Sequence, residues 1–367
     1  MAGISRPFFY FGYTGIIAMQ FSKIINAQVS SEADRPLMQK ETYPVLQPLQ
    51  QYLQQYKRDI ELPLTYDELL HYRYTDSIRD EDGRHTHWEN VVYDKKLQET
   101  LFAQCLSVYG LLTQTATTGL TVTAIDFCEF ANSMPFRITV ADNHTGQQDC
   151  FYIKAADTSR VFGLELEHLL SPNRTSFLYH NNTLIEAHIE GIPGDVFLQT
   201  AEALNKTQKQ ALAKAFVSFN ERCFARLLGD MRSYNFVVTA HPHHKEQYHI
   251  RAIDFDQQCY EGNMNLYLPQ FYKENYGYVQ MALNLHGHDS IEQIRENERH
   301  QLALQAKTNA TRLQQLFAAM AGEEISENYK VLRLSKELNE YHGTTRFSPI
   351  THMGGLVQQQ LLQVCHL

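Results

Sequence analysis

A change of hydrophobic periodicity near residue 119 constrains the fold of this 367-residue chain more than any other feature of its sequence. Three β-rich runs follow one another from that point: GLTVTAIDFCEF, PFRITVAD and CFYIKAAD. Only the short segments ANSM and NHTGQQD separate them. Short turns join antiparallel neighbours, whereas parallel strands need long crossovers. The pattern therefore predicts an antiparallel meander.

A helix and two more strands complete this region. The run SRVFGLELEHLL predicts a short helix that ends at Ser171 and Pro172. TSFLYHN and TLIEAHIEG then predict two strands, one on either side of the turn at Asn181 and Asn182. We therefore predict the order β-β-β-α-β-β for residues 119–191.

The segments on both sides of this region are mainly helical in pattern. Apolar residues recur at three- and four-residue intervals in residues 46–56, 97–112 and 212–227. The last of these stripes predicts one long helix that ends at Gly229. The polar run TDSIRDEDGRHTH, at residues 75–87, predicts an exposed loop. Together these patterns predict an α+β fold.

The composition is that of a folded, soluble protein, since 43% of the residues are apolar and only 11 are proline. A net charge of −9 argues against a general nucleic-acid surface. Residues 7–22 carry no charge, but they are broken by Gly, Ser and Gln. They fall short of the roughly 20 apolar residues that a membrane-spanning helix needs. We interpret them as packed structure and expect a cytoplasmic protein without a membrane span.

The cysteines indicate neither a disulfide framework nor a zinc site, because they are scattered and no two have the CxxC spacing. We predict reduced and mostly buried thiols. The six residues are Cys105, Cys128, Cys150, Cys223, Cys259 and Cys365.

Three oxygen-bearing side chains are predicted to converge after the long helix. Asp230 and Asn235 lie in the loop GDMRSYN, which leads into the strand NFVVTA. Asp254 ends the partner strand, in RAIDFDQ. Because the two strands form a predicted hairpin, Asn235 and Asp254 come close together. Asp and Asn offer hard oxygen ligands that suit Mg²⁺, and a second Asp can accept a proton from a hydroxyl group.

The order of these elements resembles the protein kinase-like superfamily over residues 119–322. GDMRSYN matches the catalytic loop, written HRDxxxxN in protein kinases and HGDxxxxN in antibiotic and choline kinases. IDFDQ matches the metal-binding DFG motif. Lys154, in FYIKA, matches the lysine that contacts the α- and β-phosphates. Glu165 or Glu167, on the following helix, matches the glutamate that pairs with this lysine.

The resemblance implies a phosphotransferase that uses ATP and Mg²⁺. Asn235 and Asp254 would hold the Mg²⁺, and Asp230 would orient or deprotonate the acceptor hydroxyl. Arg232 resembles a basic residue that some protein kinases place near the γ-phosphate, although a solvent-exposed turn arginine fits the same pattern. The segment EAHIEGIPGD would be the hinge. Its backbone groups that would contact adenine belong to Ala187, His188 and Ile189.

The resemblance also implies a bilobal fold. Residues 119–191 would form a small lobe with an antiparallel sheet, and residues 192–367 would form a helical lobe. Residues 1–118 would be an N-terminal helical extension that braces the sheet lobe or shapes the acceptor site.

Several positions depart from the superfamily pattern. Leu228 replaces the catalytic-loop histidine, no GxGxxG is present, and no APE motif follows IDFDQ. Asp256 replaces the glycine of DFG and offers a second carboxylate as a rival ligand for the metal. These changes place the chain outside the typical Ser/Thr and Tyr protein kinases. They fit the divergent branches that act on lipids, small molecules or proteins.

Two other functions fit the same residues. The first is a pseudokinase that binds nucleotide and acts as a scaffold, which the missing histidine, glycine loop and APE favour. The second is a helical interaction protein whose resemblance to kinases is accidental. The acceptor is open, because a protein or a small molecule with a hydroxyl group suits the motifs equally well.

Overall fold

The part of the chain that the structure describes contains ten strands and eleven α-helices, so the predicted α+β class is confirmed. The structure is a computed structural model that describes residues 40–241 and 244–367, apart from the side chains of residues 241 and 244–246. Residues 7–22, which we interpret from the sequence as packed structure, lie outside the described residues.

The elements alternate along the chain between strand-rich and helix-rich segments. The strands are β1 (Tyr74–Arg79), β2 (His85–Val92), β3 (Leu120–Phe127), β4 (Phe136–Asp142), β5 (Gln148–Ala155), β6 (Phe177–His180), β7 (Thr183–Ala187), β8 (Ile192–Pro193), β9 (Phe236–His241) and β10 (His244–Ala252). The helices are α1 (Gln47–Gln55), α2 (Tyr66–Leu69), α3 (Lys95–Thr113), α4 (Thr158–Leu170), α5 (Gly194–Thr200), α6 (Lys206–Arg226), α7 (Tyr276–Leu285), α8 (His288–Thr308), α9 (Ala310–Ala321), α10 (Asn328–His342) and α11 (Met353–Val364).

Seven strands form one antiparallel sheet in the order β1-β2-β3-β4-β5-β7-β6. The strands β3, β4 and β5 are the predicted meander, and α4 separates β5 from β6 along the chain. The predicted order β-β-β-α-β-β is therefore confirmed. β5 lies between β4 and β7, which places Lys154 on an inner strand. A second sheet has the order β10-β9-β8.

The large sheet buries one face against α3. Side chains alternate between the faces of a strand, and Ile138 stands opposite Phe151 while Ile153 stands opposite Ile185. These apolar side chains belong to one buried cluster together with Val108 of α3. The opposite face carries polar side chains over β4, β5 and β7, and it is the face that bears Lys154.

The helices enclose a second core. It includes buried residues of α4, α6, α9 and α11, among them Phe162, Phe216, Leu316 and Leu356. Leu184, opposite Lys154 on the sheet, belongs to the same cluster. α4 thus connects the polar face of the sheet to the helical core.

The segment before residue 119 is more than a helical extension. β1 and β2 form a hairpin across the run that we predict to be an exposed loop, so that prediction is wrong. The charged residues of β1 stay largely in solvent, which gives the strand the composition of a loop. Glu89 and Asn90 of β2 pair with β3, so the hairpin extends the large sheet. α1 packs in the helical core, whereas α3 packs on the sheet.

All six cysteines are free thiols. Five of them are buried and Cys150 is partly buried, as the sequence predicts. In the portion that the structure covers, no helix combines the length and the apolar character needed to cross a bilayer.

Candidate functional site

Lys154 is buried on the polar face of the sheet and is paired with a carboxylate from the next strand. Its side chain is 8% exposed, and its Nζ lies 3.0 Å from Oε2 of Glu186. Glu186 stands directly opposite Tyr152 across β5 and β7. Because residues 152 and 154 share a face, the register brings the ammonium and the carboxylate together. Lys154 is therefore not a strand-edge lysine with its amine in solvent.

The expected pairing of Lys154 with Glu165 or Glu167 is not observed. Glu165 lies further along α4, where it binds Arg58, Arg312 and the hydroxyl of Tyr52. These partners come from α9 and from α1 and the residues just after it. The two glutamates therefore face away from Lys154, and they join α4 to other helices.

Glu167 is engaged in the same way, because it pairs with Arg226 at the end of α6. The pair is nearly inaccessible, with side chains that are 4% and 1% exposed. The residue of α4 that faces the strands is Arg160, in its first turn, and it is a cation. Because Arg160 is positively charged, it binds carboxylates and not Lys154. The carboxylate partner of Lys154, which we expect on α4, therefore comes from Glu186 of β7.

Arg160 links three carboxylates. Its Nη1 lies 3.2 Å from Oε1 of Glu186, its Nη2 lies 3.0 Å from Oδ1 of Asp254, and its Nε lies 2.7 Å from Oδ1 of Asp256. The guanidinium is 2% exposed. It connects the lysine pair on the sheet with the carboxylates that follow β10. Five charged side chains thus form one continuous network, in which all but Asp254 are buried.

Two features fix α4 against this network. Asp157 is the N-cap of α4 and accepts a hydrogen bond from the backbone N–H of Arg160. At Gly163, a Cβ atom would lie 2.9 Å from Cβ of Phe255, which is closer than real Cβ atoms approach one another. The missing side chain lets α4 lie directly on the segment that follows Asp254.

Asp230 is held in a left-handed backbone conformation just beyond α6, with φ of 55°. Its backbone N–H donates to the hydroxyl of Tyr272 at 3.0 Å, and its carbonyl oxygen accepts from Nδ2 of Asn235 at 2.7 Å. Such a conformation is uncommon outside glycine and persists where neighbouring contacts fix it. The carboxylate also faces Asn235, whose Nδ2 lies 3.3 Å from Oδ2.

The environment of Asp230 favours its protonated form more than water does. Burial raises the pKa of its carboxyl to about 6, although the hydrogen bond from Arg232 opposes the change and the charges of Asp254 and Glu274 support it. A carboxylate with this pKa is a stronger base than an ordinary aspartate and is still ionised at neutral pH.

Arg232 is not an exposed turn arginine. Its Nε donates to Oδ1 of Asp230 at 2.9 Å, and its Nη1 donates to Oε1 of Glu274 at 2.7 Å. Its guanidinium lies 4.9 Å from the ring centroid of Tyr272. In this arrangement Arg232 orients the Asp230 carboxylate and carries positive charge beside it.

Asn235 and Asp254 are brought together by the hairpin of β9 and β10, as the sequence predicts. The N–H of Ile253 donates to the carbonyl oxygen of Asn235 at 3.0 Å, which sets Asp254 beside Asn235. Oδ1 of Asp254 accepts from Arg160 and from the N–H of Asp256. Among the described residues, no donor is assigned to Oδ2 of Asp254 or to Oδ1 of Asn235. Two such oxygens suit a magnesium ion that takes its remaining ligands from phosphates and water.

No cluster of three or more His, Cys, Asp or Glu side chains suited to a metal ion occurs within residues 40–241 and 244–367.

The two aspartates after β10 differ in their environments. Burial and the neighbouring charge of Asp256 raise the pKa of Asp254, with Arg160 and Lys154 opposing. At Asp256 burial acts in the same direction, but Arg160, Lys40 and Lys154 outweigh it and lower the pKa. The charges around Asp256 thus favour its ionised form, and Asp254, with a side chain 33% exposed against 11% for Asp256, is the more accessible of the two.

The predicted hinge has fewer free donors than expected. The N–H of Ala187 donates to the carbonyl oxygen of Ser176 at 3.0 Å, and the N–H of His188 donates to that of Cys150 at 3.3 Å. Those two donors are not available to adenine. The ring nitrogen Nδ1 of His188 lies 2.9 Å from the hydroxyl of Tyr152, so an aromatic side chain of β5 lies beside the hinge.

Arg160 and Glu186 are the site residues that reasoning from the sequence missed. Glu186 lies in the predicted strand TLIEAHIEG, but only the pairing of β5 with β7 shows that it faces Lys154. Arg160 lies in the first turn of a helix, after a capping aspartate. The three carboxylates that its guanidinium binds are 26 or more residues away along the chain. A charged residue on a segment that is otherwise buried was the available signal in both cases.

Comparison of the chain with models of protein families and with curated proteins found no match to either.

Proposed function

We propose that the chain is an ATP- and Mg²⁺-dependent phosphotransferase of the protein kinase-like superfamily, with a hydroxyl group of a protein or a small molecule as acceptor. The observation that carries the proposal is the convergence of Asp230, Asn235 and Asp254 beside a buried lysine. These side chains come from a loop after a long helix, from the residue just before β9 and from the second residue after β10. In phosphoryl transfer, an Asp orients the acceptor hydroxyl, Asn and Asp side chains hold Mg²⁺, and a Lys binds the phosphates.

The element order supports a bilobal kinase-like fold. Five strands with one inserted helix precede a long helix, which precedes the Asp230 loop and the hairpin that ends in IDF. In the proposed division, β3 to β7 and α4 form the small lobe and residues 192–367 form the helical lobe. The hairpin of β1 and β2, with α3, would enlarge the small lobe.

Lys154 would bind the phosphates of ATP from the sheet side. It is held at 3.0 Å from Glu186, so its ammonium is positioned before any ligand arrives. Burial strengthens its attraction for phosphate oxygens, because the local dielectric is lower than in water. Glu186 would therefore supply the carboxylate that the superfamily takes from the inserted helix.

Asn235 and Asp254 would hold the metal through Oδ1 and Oδ2, respectively. When bound, Mg²⁺ neutralises charge on the β- and γ-phosphates and orients them. Asp230 would accept the proton of the acceptor hydroxyl. Its Oδ1 is oriented by Arg232, and its raised pKa suits a general base near neutral pH.

Two single variants test these roles in parallel: Asp230→Asn and Asp254→Asn. Asp254→Asn loses both Mg²⁺-dependent ATP binding and turnover, because the metal ligand acts on the bound ground state as well. Asp230→Asn keeps ATP affinity close to wild type and loses about 10²–10⁴-fold in rate. Binding is measured by calorimetry and turnover by release or transfer of the γ-phosphate. Normal turnover in Asp230→Asn would show that the role assignment is wrong.

A pseudokinase is the second candidate, because Oδ1 of Asp254, the proposed metal ligand, is already paired with Arg160. Such a protein binds ATP without transferring its phosphate. Wild-type protein that binds ATP and Mg²⁺ but never releases or transfers phosphate, with acceptor candidates of both classes present, would favour it over the phosphotransferase.

A further inference from the structure

We propose that the guanidinium of Arg160 occupies the position of a second divalent cation, so that the site binds one metal ion for each nucleotide. The inference rests on the proposed function. It assigns Arg160 as a positioning residue that arranges the metal-binding carboxylate.

Arg160 binds its carboxylates as a bridging cation does. Nη2 lies 3.0 Å from Oδ1 of Asp254 and 2.5 Å from Oδ1 of Asp256. One charged nitrogen thus joins two carboxylates that are two residues apart. A metal ion placed between the same two oxygens would have to displace it.

Arg160 cannot withdraw easily from this position. Its side chain is 2% exposed, and its backbone lies in the capped first turn of α4. Its Nη1 is held by Glu186 as well. A buried arginine that lost these partners would be left as an uncompensated charge, which is strongly unfavourable.

The remaining oxygens allow one metal ion. Arg160 holds Oδ1 of Asp254. Within the described residues, no hydrogen-bond donor contacts Oδ2 of Asp254 or Oδ1 of Asn235.

The test is the number of Mn²⁺ ions that the full chain binds in the presence of a saturating non-hydrolysable ATP analogue. Electron paramagnetic resonance counts free Mn²⁺, and calorimetry counts bound nucleotide. We expect one Mn²⁺ per nucleotide in the wild type and two in Arg160→Gln. Removing the guanidinium frees Oδ1 of Asp256 and leaves Oδ1 of Asp254 with only the backbone N–H of Asp256 as a donor. Arg226→Gln is the matched control. It also breaks a buried arginine–glutamate pair of α4, with Glu167, and should keep one Mn²⁺.

Each outcome decides the inference. Two Mn²⁺ ions in the wild type overturn it without the need for any variant, so poor folding of Arg160→Gln does not protect it. One Mn²⁺ in both the wild type and a folded Arg160→Gln also overturns it. A wild type that binds no nucleotide with Mn²⁺ overturns the proposed function together with the inference, whereas one that binds nucleotide with two ions leaves the proposed function standing.

Discussion

Lys154 is a buried cation that depends on one carboxylate of the neighbouring strand. Transferring an ammonium group from water to a protein interior is unfavourable unless a partner compensates its charge. Glu186 supplies that compensation at 3.0 Å and is itself only 7% exposed. Glu186 also binds Arg160, so its two oxygens serve two cations. The position of Lys154 therefore depends on Glu186 more than on any residue of α4.

Replacement of Glu186 tests this dependence. We expect Glu186→Gln and Lys154→Met each to weaken ATP binding by roughly tenfold, or about 1.4 kcal/mol, because Glu186 no longer holds the Lys154 ammonium in position or the ammonium is absent. Calorimetric titration with ATP and Mg²⁺ measures the effect.

Glu165→Gln is the control for that experiment. Glu165 is fully buried and charged like Glu186, but its partners are Arg58 and Arg312. It should lower the melting temperature and leave ATP affinity unchanged. Loss of ATP affinity in Glu165→Gln with none in Glu186→Gln would restore the glutamate of α4 as the partner of Lys154.

Residues that are close along the chain could be placed from the sequence, and residues that meet across elements could not. Asp230, Asn235 and Asp254 were predicted to converge because a loop and one hairpin connect them. Glu186 and Arg160 join the site through the pairing of β5 with β7 and the docking of α4. No local pattern reports either contact.

At the scale of elements, buried ion pairs join α6 to α8. Glu221 of α6 is 1% exposed, and its two oxygens bind Nε of Arg295 at 2.8 Å and Nε of Arg299 at 2.7 Å. Burial acts to raise the pKa of Glu221, but the two arginines outweigh it and hold the pKa below its usual value. As the pH falls, the Glu221 carboxylate therefore stays ionised in the folded chain at a pH at which the same group begins to bind protons in the unfolded chain.

Because folding lowers the pKa of Glu221, the contribution of this group to the stability of the fold should decrease in acid. A carboxyl whose pKa is lowered by folding stabilises the fold above its unfolded pKa of about 4.5, and that contribution is lost as the pH falls further. Glu221→Gln should be about 3 kcal/mol less stable than wild type at pH 7, because two arginines lose their shared partner. The difference should narrow below pH 4.5. Urea unfolding at pH 7, 5 and 4 measures it.

A constant difference between the two proteins across that pH range would mean that Glu221 titrates alike in the folded and unfolded chains. Glu296→Gln is the control, since Glu296 binds the same Arg299 but is half exposed. It should change stability by less than about 1 kcal/mol at any of these pH values.

Strands with an apolar face were predicted correctly, and the polar hairpin was not. β4 and β5 alternate between buried and more exposed residues, which is the pattern of a strand with one face in a core. β1 has no buried residue. The dipeptide at Asp82 and Gly83, with Gly83 at φ of 78°, was a hairpin signal within the charged run.

For the whole molecule, the candidate site lies where the two cores meet. α3 and the sheet enclose one core, and α4, α6, α9 and α11 contribute to the other. The buried network from Lys154 through Arg160 to Asp256 connects the sheet to the segment after β10. A ligand bound there would contact both parts of the molecule. It should therefore stabilise the whole fold against unfolding and not one part alone.

Thermal unfolding in the presence of ATP and Mg²⁺ tests the proposed function most directly. Ligand at 100 times its dissociation constant stabilises a folded protein by about 2.7 kcal/mol, so the melting temperature of the wild type should rise by a few degrees. ATP without Mg²⁺ should give little rise, and Asp254→Asn should give none under either condition. An unchanged melting temperature of the wild type with saturating ATP and Mg²⁺, or an equal rise in Asp254→Asn, would contradict a nucleotide–metal site at these residues.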